Sequence, residues 1–101
     1  MDNSTKLKEM LHLLQLQQKE FDIEINFDFF NENLSHFPDL KLISISHDYD
    51  ADWGLSTWFI ILKGEITDVQ DFVSDLNADD PDAYCYLDNI HNHYFTVTFQ
   101  L

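Results

Sequence analysis

A chain of 101 residues has room for one compact domain, and with 45% hydrophobic residues and nine Phe it is far too apolar for a disordered acidic tail. Nineteen Asp and Glu against five Lys, with no Arg, give a formal net charge of −14, which repels DNA, RNA and anionic membranes and attracts basic protein surfaces. Two Gly exclude a glycine-rich phosphate loop, and a lone cysteine, Cys85, excludes an intramolecular disulfide. No run approaches the ~18 apolar residues of a membrane span, and the N-terminus lacks a signal-peptide pattern, so a reducing cytoplasm is the expected location.

Residues 4–20 are predicted to form a helix, capped by Ser4 or Thr5, with Leu7, Met10, Leu11 and Leu14 on one face. Three of the five lysines, Lys6, Lys8 and Lys19, fall here. "FDIEINFDF" (21–29) alternates: Phe21, Ile23, Ile25, Phe27 and Phe29 take one side, Asp22, Glu24, Asn26 and Asp28 the other, which predicts a half-buried strand. "FNENLSHFPD" reads as a polar connection with a short helical turn before Pro38. "LKLISISH" and "LSTWFIILKG" are two further strands joined through "DYDADWG", and the second, apolar on both sides, belongs in the middle of a sheet. "TDVQDFVSDLN" is a helix with Thr67 and Gln70 at capping-box spacing and a core stripe of Val69, Phe72, Val73 and Leu76; "ADDPD" stops it. "AYCYLDNI" and "HYFTVTFQL" then pair as a hairpin. The order α-β-β-β-α-β-β, with short connections, predicts a single α+β domain: an antiparallel sheet of five strands packed on one face by two helices.

Asp48, Asp50 and Asp52 alternate like the opening of a calcium loop. An EF-hand loop counted from Asp48, however, needs Gly at its sixth position and Glu at its twelfth, where this chain has Trp53 and Phe59. A solvated hairpin loop turned by Gly54 accounts for the same letters. His91 and His93, two apart on a strand, would face the same way as zinc ligands do, but the spacing nominates no third ligand among His47, Asp88 and Cys85. "HNH" at 91–93 is not the nuclease motif of those letters, and no Lys or Arg follows Lys63 to hold phosphate. Cys85, between two tyrosines and without a cationic neighbour, reads as a buried inert thiol. No cofactor and no metal is expected.

The acids are unevenly placed. Glu65, Asp68, Asp71, Asp75, Asp79, Asp80, Asp82 and Asp88 follow Gly64 with no lysine among them, and Asp68, Asp71 and Asp75 share the helix face opposite the core stripe. On the predicted first strand, Asp22, Glu24 and Asp28 form a second row at intervals of roughly 6.8 Å or twice that. A rigid comb of carboxylates can occupy a groove built for a nucleic-acid backbone, releasing counterions as it binds. Tyr49, Trp53, Tyr84, Tyr86 and Tyr94 lie near the acids and suit interface anchors; Tyr84 and Tyr86 equally suit a strand face under a helix.

In size, single-domain organisation and acidity the chain resembles phage antagonists of bacterial defence, the anti-CRISPR and anti-restriction proteins; the likeness is one of size and charge, carried by no motif. It implies a non-catalytic, stoichiometric inhibitor that mimics DNA or RNA on a basic nuclease or defence complex. The expected contacts are Asp68, Asp71, Asp75, Asp79, Asp80 and Asp82, then Asp48, Asp50 and Asp52, with Asp22, Glu24 and Asp28 beside them. An immunity protein neutralising a basic toxin nuclease would use the same physics. A small metal-dependent enzyme built on Asp48, Asp50, His91 or His93 is the alternative of another class.

Overall fold

Asp2 opens the first helix. In the computed structural model, which describes residues 2–17, 28–79 and 84–100, its carboxylate accepts the N–H of Thr5 at 2.7 Å and its carbonyl accepts that of Lys6. The hydrogen bonds from Thr5 hold the Asp2 carboxyl below its ordinary range, so the cap is Asp2 rather than Ser4 or Thr5. Helix α1 (Asn3–Gln17) is followed by α2 (Asp28–Ser35), strands β1 (Lys41–Asp50) and β2 (Leu55–Lys63), helix α3 (Ile66–Asp79), and strands β3 (Tyr84–His91) and β4 (Tyr94–Gln100).

The α+β class and the antiparallel pairing are as expected. Among the described residues, however, the sheet has four strands, in the order β1-β2-β4-β3, and three helices accompany it. The predicted strand over 21–29 is corrected at its end: Asp28 and Phe29 begin α2, while residues 21–27 lie outside the described part. The reason is a change of period. Phe30, Leu34 and Phe37 recur at helical spacing, and all three face the core, with Phe30 and Phe37 meeting Phe72 edge-on at 5.2 and 5.8 Å. Asp28 sits in the first turn, where the helix dipole favours an acid.

Strand β2 is central, between β1 and β4, as its two apolar sides require. Its Trp58, Ile60 and Leu62 share the core face with Leu42 and Ile45 of β1 and Phe95 and Val97 of β4. Leu7, Leu34, Val69, Phe72 and Leu76 cover that face from the helices. Helix α3 starts one residue earlier than predicted. The Glu65 carbonyl accepts the Val69 N–H, so Thr67 lies inside the first turn and the Thr67–Gln70 capping box does not form. Gly64 makes the turn into α3 possible, because a β-carbon there would lie 2.6 Å from the buried Leu40 side chain.

Both sheet edges are guarded by asparagines. Asn3 donates its Nδ2 to the Leu40 carbonyl (2.6 Å) and accepts the Leu42 N–H (3.0 Å) on β1. Asn77 does the same on β3, donating to the Cys85 carbonyl (2.8 Å) and accepting the Cys85 N–H (3.0 Å). Each carboxamide stands where the peptide of another strand would otherwise pair.

Candidate partner-binding surface

The register of the sheet decides which charges meet. One cross-strand row runs from Asp48 through Thr57 and Gln100 to Tyr84; another, at the far end of β2, runs from Lys41 through Lys63 and Tyr94 to His91. The two rows are six residues apart along β2, ~20 Å at the usual rise per strand residue. Lys6 joins the second row, its Nζ within 3.4 Å of the Leu42 carbonyl, and Lys63 lies over the Tyr94 ring at 5.4 Å. Three lysines are therefore held at one end, and the β1–β2 hairpin carries Asp48, Asp50 and Asp52 to the other.

Helix α3 brings further acids toward the hairpin end. It leaves the lysine end after Lys63 and runs back for 14 residues, ~21 Å at the helical rise. Asn77 pins its last turn to Cys85, in the row of His47, Trp58 and Phe99. Asp71 and Asp75 are exposed along the way, Asp68 is half-buried, and Asp79 closes the helix. Glu65, Asp68 and Asp39 lie toward the lysine end, where charges of both signs mix. Asp80, Asp82, Asp22 and Glu24 fall outside the described residues, and Asp28, exposed, heads α2 instead of joining a strand-borne comb.

At the hairpin end, Asp50 pairs with Leu55 across a loop of Ala51, Asp52, Trp53 and Gly54. The Asp52 N–H donates to Asp50 Oδ1 at 3.0 Å, and Gly54 takes φ 63°, so the loop is a turn closed by glycine. Beneath it His47 stacks on Trp58 at 4.1 Å, and burial lowers its pKa, the adjacent Asp48 opposing more weakly.

The histidine pair is rearranged. His91 ends β3, but His93 lies in the turn at φ 67°, so the two do not share a strand face. Both are also at the lysine end, remote from Asp48 and Asp50, so those four residues do not form one site. Among the described residues no three His, Cys, Asp or Glu side chains come together as metal ligands. Cys85 is buried, and burial pushes its thiol up to about 12. A cleft of about 330 Å³ opens near the start of α1, lined by Asn3, Ser4, Asn31, Ser35 and Lys41, with Asp2, the only acid among its described residues, serving as the helix cap. No described helix is long and apolar enough to cross a membrane.

Sequence reading missed Asn77, which fixes the end of α3 on the sheet; an asparagine near a helix end carries no signal that its partner is a strand edge. No protein-family model, curated protein or solved structure matches this chain.

Proposed function

We propose that this chain is a non-catalytic inhibitor that binds the basic nucleic-acid-binding surface of a nuclease or defence complex in place of DNA or RNA. The observation that carries the reading is the division of charge. Asp48, Asp50 and Asp52 are gathered at one end and Lys6, Lys41 and Lys63 are held some 20 Å away, in a chain of net charge −14. An acidic surface meant only for solubility would mix signs; this one concentrates a single sign, which steers a basic partner toward it. Its rigid supports, a paired hairpin and a helix pinned to the sheet, suit recognition without turnover.

The test is capture. Immobilised protein, exposed to cell lysate at low salt, is expected to retain a nucleic-acid-handling enzyme that raised salt releases and that added duplex DNA or RNA displaces. Reversal of both helix acids, Asp71→Lys with Asp75→Lys, is expected to keep the fold and weaken that complex more than about tenfold, ~1.4 kcal/mol. Retention of no basic protein, or retention indifferent to competing nucleic acid, would defeat the proposal.

A further inference from the structure

We infer that the tip of the β1–β2 hairpin is the anchor of this surface: Trp53 enters an arginine-lined nucleic-acid groove where a base would stack, and Asp48, Asp50 and Asp52 lie where phosphates would. The inference rests on the reading above and specifies the partner's chemistry.

Trp53 is 83% exposed, ahead of Leu13 at 58% and Leu16 at 54%. Tryptophan is normally among the most buried side chains on average, and an indole this exposed gives the fold little. The turn does not need it: Gly54 supplies the positive φ, and the Asp52–Asp50 hydrogen bond holds the loop. Nor does the hairpin lack a core place for an indole, because Trp58, five residues later, fills one and is 4% exposed. Tyr49, 38% exposed, adds a second aromatic surface near the tip. A side chain at the end of a hairpin reaches past the sheet and can enter a concave partner, which a residue on a flat sheet face cannot.

The flanking charge selects the occupant. Asp48 and Asp50 project from one side of β1, ~6.8 Å apart, with Asp52 in the turn next to the indole. Arginines in nucleic-acid grooves do two things: they pair bidentately with anions and they stack on planar rings. Carboxylates beside a free indole offer both partners to one guanidinium. Lysine can set its ammonium over a ring face, as Lys63 does over Tyr94, but it neither stacks as a plane nor pairs bidentately, so it gains less from the same site.

The experiment compares deca-arginine with deca-lysine as probes, at low salt, by calorimetry and intrinsic fluorescence. The wild type is expected to bind deca-arginine at least about threefold more tightly than deca-lysine and to show a change in indole emission. In Trp53→Ala the preference is expected to shrink to the part that bidentate pairing with the carboxylates supplies, while lysine binding and its salt dependence persist, with an unchanged circular dichroism spectrum and urea midpoint. Trp53→Phe, which keeps a ring, retains part of the preference and removes the emission change. Equal affinities for both peptides in the wild type, or a preference undiminished in Trp53→Ala, with strong salt dependence, would overturn the anchor and leave the acidic-surface reading standing. Failure of both peptides to bind would overturn both.

Discussion

The two hairpins of the sheet turn by different chemistry. β3–β4 reverses over Asn92 and His93, at φ 50° and 67°, the two-residue geometry whose twist matches the strands it joins. Asn92 tolerates a left-handed conformation, but no glycine follows it, so His93 holds one that disfavours its β-carbon by roughly 1–2 kcal/mol. The turn is nonetheless fixed, because the His93 carbonyl accepts the Gly64 N–H at 3.0 Å and so ties it to the exit of β2. β1–β2 uses four loop residues, puts glycine at the position with positive φ, and leaves an indole in water. Backbone strain is tolerated at the lysine end, where it closes the sheet. Apolar exposure is tolerated at the acidic end, where the Trp53 indole stands 83% exposed among the described residues. The second kind of departure is the one the proposed partner contact rests on.

The largest test of that contrast sets the two tryptophans of one hairpin against each other. Trp58→Ala removes a side chain that is 4% exposed and stacked on His47, and is expected to lower unfolding free energy by ~3–5 kcal/mol. Trp53→Ala is expected to change it by less than ~0.5 kcal/mol. Urea titrations of both variants decide it; a Trp53 cost near that of Trp58 would mean the tip indole belongs to the fold. A smaller test exchanges the turns' chemistry. His93→Gly relieves a left-handed non-glycine and is expected to stabilise by ~0.5 kcal/mol, net of the added freedom of the unfolded chain. Gly54→Ala finds open space but the wrong φ, and is expected to cost ~1 kcal/mol. Thermal unfolding with the signs reversed would show that the strain lies at the acidic end.

Much of the sheet was legible because its strands keep a period of two over long runs, and β2 could be placed centrally from Phe59 and Ile61 alone, which make its second side apolar. Helix α3 was legible from the Val69, Phe72 and Leu76 stripe. The segment around Phe27 to Phe30 was not, because period two gives way to the helical period inside a run of phenylalanines, and either fits two or three residues. The acids of α3 and of the hairpin could each be picked out along the chain. Their arrangement could not, because it depends on register: only the pairing of Asp48 with Thr57 and of Lys41 with Lys63 shows that the hairpin acids stand at one end of the sheet and these lysines at the other. The edge contacts of Asn3 and Asn77 span 37 and 8 residues and leave no local pattern at all.

The smallest effect comes from His47, which joins the two themes by stacking on the core tryptophan directly beneath the acidic tip. Burial, the larger influence, lowers its pKa from 6.5, and Asp48 restores part of the shift. On acidification the unfolded chain therefore takes up this proton before the folded one does. The stability tied to neutral His47 is complete above pH 6.5 and is lost as pH falls through the folded value. The carboxylates act in the opposite direction, since protonating them relieves the self-repulsion of a chain at −14, so the histidine contribution is visible only by difference. Unfolding free energies of wild type and His47→Gln, compared from pH 7.5 down to about 5, are expected to show the wild type losing ground to the variant across the histidine range. Parallel profiles would mean that the imbedded imidazole titrates as it does in water, and that the ring stacked on Trp58 is open to solvent from the acidic end.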